Sequence, residues 1–332
     1  MYNISVKEWA VKIKEGDRLS LSKALTLVES SLPKDRLLAH ELMVELQDTS
    51  KKPTLRIGIT GPPGVGKSSL IECLGPKFIE AGKKLAVLSI DPSSVISKGS
   101  IMGDKSRMQS LANDSRVYVR PSNNSNFLGG LNPNSYSSIR LMESSGFDVI
   151  ILESVGVGQS EIDIVNLCDI VIVLIQPSSG DALQALKRGI MEWGDIFVVN
   201  KDDGLLQQAA QDCQLQINSI LGLRKISNSM IPVHSLKASI QKPESIQALY
   251  DHILKIYNIL ITENKIVNIR QEKNTRYFEH HWKNELAMKL LTMESFQEIY
   301  EKTQIELRSG NIDIDLAFEK LINSIFALPL KK

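Results

Sequence analysis

Polar and apolar positions along this chain fall into three regimes. In the first fifty residues Leu38, Leu42 and Leu46 recur at i, i+4 and i+8, the spacing of one helix face, and Pro33 with Asp35 stands where a helix can begin. From Leu55 the pattern shortens into apolar runs: Leu55–Thr60, Leu85–Ile90, Val117–Arg120, Asp148–Glu153, Ile170–Ile175, Ile196–Val199 and Ile231–His234. Such near-continuous Val, Ile and Leu runs predict strands covered on both faces, hence a mostly parallel sheet wrapped by helices. After about Ser245 helical periodicity returns, with elements predicted over Arg276–Leu291, Ser295–Leu307 and Asp313–Phe326. The chain therefore divides into an N-terminal helical extension (residues 1–50), an α/β domain (51–262) and a C-terminal helical arm (263–332), without internal repeats or low-complexity segments.

The first apolar run leads directly into Gly61-Pro62-Pro63-Gly64-Val65-Gly66-Lys67-Ser68, with a helical segment from Ser69 onward. Glycines at these spacings let backbone N–H groups converge on a phosphate, and the helix start adds its positive dipole end. Lys67 can reach the β- and γ-phosphates as a point charge, and the Ser68 hydroxyl can join a nucleotide-bound magnesium ion. Strand before, helix after and the full pattern between them predict a P-loop nucleotide-binding α/β fold.

Composition narrows the partners. With 332 residues, 42% of them hydrophobic, a sizeable core can be buried, and 39 basic residues against 38 acidic leave a net charge of +1. That balance argues against a non-specific grip on nucleic acid or an anionic membrane. Cys73, Cys168 and Cys213 lack C-x-x-C spacing, so they read as reduced thiols in a reducing compartment. Met1-Tyr2-Asn3 opens no cationic-then-apolar leader, and no apolar run approaches membrane-spanning length, so a cytoplasmic protein is expected.

A phosphate loop does not choose its base. Asn200-Lys201-Asp202-Asp203 follows the run Ile196–Val199, and an Asn-Lys-x-Asp segment there puts the Asp203 carboxylate where guanine N1–H and the exocyclic amine can donate to it. Adenine has a bare N1 at that point, which leaves the carboxylate unpaired. Asn200 would tie the loops together and the Lys201 stem would cover the base. Ser235-Leu236-Lys237, just after the next apolar run, is placed either to contact the base through its backbone or simply as a loop.

Carboxylates for magnesium are sought at strand ends. Glu153 closes a buried strand and precedes Ser154-Val155-Gly156, where the Gly156 N–H can reach the γ-phosphate. Asp91 and Asp104 are the other candidates; the alternatives are a strand-end cap for Asp91 and an exposed loop charge for Asp104. Trp193 and the paired His280-His281 carry no metal spacing and read as packing residues.

These segments resemble the MeaB/ArgK-type P-loop GTPases, whose best-understood members are chaperones of adenosylcobalamin-dependent methylmalonyl-CoA mutase. Besides the phosphate loop, the likeness is carried by Asp91-Pro92-Ser93-Ser94, Gly99 to Met108, Arg120-Pro121-Ser122 with Leu128-Gly129-Gly130, Glu153 to Glu161, Gly180 to Gly189 and Asn200 to Gly204. The resemblance implies GTP binding and hydrolysis to GDP with Mg2+, in which Lys67 and Glu153 are catalytic. Nucleotide would be held by Gly61 to Ser69, Gly156, Asn200, Lys201, Asp203 and Ser235 to Lys237. Metal ligation would come from Ser68, Asp91, Asp104 and Glu153.

The same resemblance implies switches at Gly99–Met108 and Glu153–Glu161, and a partner-sensing segment at Ser178–Arg188. It also implies a homodimer formed through the C-terminal arm and an adenosylcobalamin-dependent acyl-CoA mutase as partner, whose cofactor loading the GTPase gates and which it protects. The family usually carries Ala where Asp202 stands. Two other functions compete: an ATPase or kinase of an arginine/ornithine transport system, which Asp203 argues against, and a metallochaperone GTPase, for which five scattered histidines and three lone cysteines supply no metal-holding segment.

Overall fold

Six of the seven predicted runs become strands at or near their expected ends in the computed structural model, which describes residues 5–30, 32–47, 53–91, 108–123, 135–154, 160–177, 194–223, 233–291 and 293–327. They are β1 (Leu55–Thr60), β2 (Leu85–Asp91), β3 (Val117–Asn123), β4 (Val149–Glu153), β5 (Ile170–Ile175) and β6 (Ile196–Val199). The seventh, β7 (His234–Lys237), begins only where the predicted run Ile231–His234 ends. The sheet order β3-β2-β4-β1-β5-β6-β7 makes β7 an edge strand, and all of its residues are only partly buried. A polar edge strand leaves no apolar run in the sequence, so the apolar signal falls on Ile231-Pro232-Val233 instead.

Every neighbouring pair in the sheet is parallel. Parallel neighbours need crossover connections, and helices supply them on both faces. The helices are α1 (Val6–Lys14), α2 (Arg18–Val28), α3 (Pro33–Glu45), α4 (Lys67–Glu80), α5 (Gln109–Ala112), α6 (Ser135–Ser144), α7 (Ser160–Leu167), α8 (Gln207–Leu223), α9 (Pro243–Thr262), α10 (Lys265–Leu291), α11 (Glu294–Arg308) and α12 (Ile314–Ala327). Alternate strand residues divide between two cores. Leu88, Ile150, Leu152, Val173 and Phe197 pack with Trp9, Leu21, Leu25, Ile139 and Met142, while Ile57, Ile59, Ile151 and Ile172 pack with Leu70, Leu74, Phe78, Tyr250 and Ile253.

The N-terminal helices thus complete one face of the sheet, and Leu42 and Leu46 of the predicted apolar stripe are buried there. Two compact units result, residues 1–277 and 278–332. In the second, α11 packs on α12, with Phe296 and Ala317 buried. No helix among the described residues is long and apolar enough to cross a membrane.

At the amino ends of the central strands an ion network ties the first part of α10 to the sheet. The Arg56 guanidinium donates to both oxygens of Glu143 at 2.7 and 2.9 Å, and Arg270 donates to both oxygens of Asp169 at 2.7 Å. Arg270 also donates to the Thr54 carbonyl, and Lys273 reaches the Cys168 carbonyl at 2.6 Å. This leaves the opposite, carboxyl ends of the strands free to build a site, as expected for an open parallel sheet.

Candidate nucleotide site

The chain leaves β1 and enters α4 through residues 61–66, and backbone conformation explains the glycines. Gly61 and Gly66 adopt φ of 146° and 100°. A Cβ at Gly61 would stand 2.5 Å from the Leu174 carbonyl oxygen, and one at Gly66 would stand 2.6 Å from Nδ2 of Asn200. Side chains are excluded there by conformation and by contact, and the loop can pass close to β5 and to the segment after β6.

Lys67, the first residue of α4, is 8% exposed and donates through Nζ to the carbonyls of Gly61 at 2.8 Å and Pro62 at 3.1 Å. Its ammonium therefore lies across the mouth of the loop. Ser68 donates through Oγ to Oε1 of Glu153 at 2.6 Å, and Ser89 donates to Oε2 at 3.2 Å. Adjacent parallel strands β2 and β4 bring Ser89 and Glu153 into register, which is why residues distant in sequence share one carboxylate. The Ser68 and Glu153 oxygens are hard donors of the type that magnesium prefers.

Of the other predicted metal carboxylates, Asp91 ends β2 but its side chain lies outside the described residues, as does Asp104 altogether. Gly156, the segment Gly99–Arg107 of the first expected switch, residues 155–159 of the second and Ser178–Arg188 also lie outside them.

The segment after β6 is bonded to the phosphate loop. Asn200, 3% exposed, donates through Nδ2 to the Val65 carbonyl at 2.7 Å. Lys201 takes a left-handed φ of 61° and its Nζ donates to the Gly64 carbonyl at 3.0 Å and to Gln176 at 3.2 Å. A positive φ at a residue with a side chain is uncommon and persists where surrounding contacts fix it. Here those contacts are the two bonds of the Lys201 ammonium, two residues before Asp203.

Asp203 accepts a short hydrogen bond from the hydroxyl of Ser239. Ser239 is fully buried, and its hydroxyl also accepts from the Gln241 N–H at 3.0 Å. Asp203 is thereby held by the loop that follows β7, to which no sequence motif assigns a role. Ser235, Leu236 and Lys237, expected after the strand, instead form β7 itself. Ser235 turns to α8, donating to Asn218 at 2.6 Å and accepting from Gln214 through its carbonyl at 3.2 Å. The strand thus ends at Lys237, later than the apolar run predicts. Pro243 at the first turn of α9 was the usable signal, because counting back from it across a short loop reaches Ser239.

Cysteine chemistry plays no part in this arrangement. Cys73, Cys168 and Cys213 are free, and burial pushes the thiols of Cys168 and Cys213 above their ordinary range. No group of three His, Cys, Asp or Glu side chains able to hold a metal occurs among the described residues.

A seven-stranded parallel sheet, a glycine-rich loop running from its central strand into a helix, and a basic residue across that loop define a P-loop nucleoside triphosphatase. Comparison with known proteins narrows the class. The family described as Methylmalonyl Co-A mutase-associated GTPase MeaB matches residues 21–295. The chain belongs to that family, and it is a GTPase.

It is 34% identical over 334 residues to the Methylmalonic aciduria type A homolog, mitochondrial, of Caenorhabditis elegans, covering 98% of this chain and 84% of that protein. It is 32% identical over 301 residues to GTPase ArgK of Escherichia coli, covering 91% of each. A crystal structure of an LAO/AO transport system kinase is similar with a TM-score of 0.73 and 26% identity, covering 98% of this chain and 99% of that one.

Proposed function

We propose that this GTPase is a chaperone that couples its nucleotide state to adenosylcobalamin loading and protection of a methylmalonyl-CoA-type mutase. The observation that carries guanine recognition is the Asp203 carboxylate held by Ser239, on a segment bonded to the phosphate loop through Asn200 and Lys201. In this reading the loop N–H groups and Lys67 hold the phosphates, while Ser68 and Glu153 hold magnesium, with Asp91 and Asp104 as further candidates. Bound magnesium would neutralise phosphate charge. Lys67 would leave the Gly61 and Pro62 carbonyls for the β- and γ-phosphates, and Asn200 would keep the base and phosphate ends in register. Loss of the γ-phosphate would release the switches and so change what the partner meets.

The mutase as partner is supported by the family's description and by the resemblance of the switch segments. Self-association through the arm is supported by the large apolar side chains exposed on it, Phe278 and Trp282 in the second half of α10 and Phe318, Ile322 and Phe326 on α12. A cytoplasmic or other reducing location is supported by the three free cysteines.

The test is GTP hydrolysis by the purified protein with magnesium, alone and with an adenosylcobalamin-dependent acyl-CoA mutase, using ATP as the control. Acceleration by the mutase with no ATP turnover is expected. GTP turnover that ignores the mutase would retain the GTPase and reject this partner, and turnover of ATP instead would favour the transport-kinase reading that the similar crystal structure's description suggests.

A further inference from the structure

Asp202 is 6% exposed, and its carboxylate faces two lysines: Lys242 Nζ at 3.1 Å from Oδ2, and Lys237 Nζ at 3.7 Å from Oδ1. A buried carboxylate needs such partners, since unpaired burial of a charge is strongly unfavourable. The two lysines occupy significant positions. Lys237 is the last residue of β7 and Lys242 immediately precedes α9, so they bracket the loop of residues 238–241. The Asp202 N–H adds a third tie, donating to the Ala238 carbonyl at 3.1 Å. One residue therefore grips the loop at its entrance and at its exit, and between those grips lies Ser239, whose hydroxyl holds Asp203.

We propose that Asp202 is a positioning residue for guanine recognition: by clamping both ends of loop 238–241 it fixes Ser239, and through Ser239 it fixes the carboxylate that reads the base. This rests on the reading of Asp203 as the guanine acceptor. The clamp works because neighbouring residues divide the labour. Asp202 meets the lysines and Asp203 meets Ser239, so the charge of the first anchors the loop without occupying the acceptor oxygens of the second. Losing the clamp leaves phosphate contacts intact but lets the acceptor wander, which weakens binding that is common to ground and transition states. Nucleotide release and KM should respond, and turnover at saturation should not.

Release of a fluorescent GDP analogue and steady-state GTP kinetics would be measured in Asp202→Asn, Asp202→Glu and Lys242→Met, with inosine triphosphate, which lacks the exocyclic amine, as a second substrate. Asp202→Asn conserves shape, and Lys242→Met probes the same link from a partly exposed side chain. Both are expected to release GDP about tenfold faster and raise KM for GTP to match, with kcat within about twofold and a smaller preference for GTP over the inosine nucleotide. Asp202→Glu, which keeps the charge, should recover most of the effect.

Asp203→Ala separates the two levels of the argument. If it abolishes guanine preference while Asp202→Asn and Lys242→Met both release GDP at the unmodified rate, the clamp is refuted and the base reader stands. If Asp203→Ala keeps its preference for GTP, the base reader falls and the inference falls with it.

Discussion

Ser239 donates its hydroxyl hydrogen to the Asp203 carboxylate, joining the segments that follow β6 and β7. A carboxylate that reads guanine must present its oxygens in one orientation, and a buried hydroxyl bonded to it selects that orientation before nucleotide arrives. Removing the acceptor should cost more than removing its support. Asp203→Ala is expected to lower GTP affinity at least about a hundredfold, because two hydrogen bonds to a charged group are lost at about 1.5–3 kcal/mol each. Ser239→Ala should lower it about tenfold. Titration calorimetry with GTP and ATP checks both, and an undiminished preference for GTP in Asp203→Ala would refute the assignment.

At the phosphate end, Lys67 bonds to two carbonyls of its own loop and Ser68 bonds to Glu153. With Lys67 in the proposed role on the phosphates, Lys67→Ala is expected to reduce GTP affinity by more than tenfold and to abolish measurable turnover. Glu153→Gln keeps the shape of the site and removes one negative charge. Its expected signature is a rise in the magnesium concentration needed for half-maximal GTPase activity, with metal-free GDP binding unchanged. An unaltered magnesium titration would remove Glu153 from the metal site.

The legibility of these features followed their chemistry. The phosphate loop could be read directly because its glycines are demanded by backbone conformation and contact, as the clash of a Cβ at Gly66 with Asn200 makes plain. Central strands could be read because burial on both faces makes them predominantly apolar; β1, β4, β5 and β6 are buried along their whole length. The edge strand β7 could not, since His234, Ser235 and Lys237 carry no such signature, and its misplacement hid Ser239. The paired role of Asp202 was equally hidden. Its partners Lys237 and Lys242 are charges of ordinary appearance, and only the fold brings all three together.

Far from the nucleotide, Arg270 of α10 pairs with Asp169, whose side chain is 1% exposed. Breaking a buried pair by removing one member leaves an uncompensated charge, at about 3–5 kcal/mol. Arg270→Met should therefore lower the unfolding free energy by about that amount, softened by the Arg56 N–H, which still donates to Asp169 at 2.9 Å. Denaturant unfolding followed by circular dichroism gives the difference. A change below about 1 kcal/mol would mean that water replaces the pair without penalty.

His234 at the start of β7 and His252 in α9 meet edge to face, with ring centroids 4.2 Å apart. Burial holds both imidazoles below their ordinary value of 6.5, with Lys255 adding to the effect on each and His234 to that on His252. Nε2 of His252 has no hydrogen-bond partner among the described residues, so charging this ring in the folded protein gains no compensating contact. The folded state thus binds protons less readily than the unfolded state, and stability must fall as pH drops below about 6.5, where the unfolded chain takes up protons first. Above that value both states are neutral and the pair contributes no pH dependence. Thermal melts of the unmodified protein and of His252→Phe between pH 7.5 and 5.5 isolate the contribution, because the carboxylates titrate in both. The unmodified protein should lose more Tm on acidification than the variant; parallel curves would show that the His252 imidazole takes up its proton in the folded state as easily as in water.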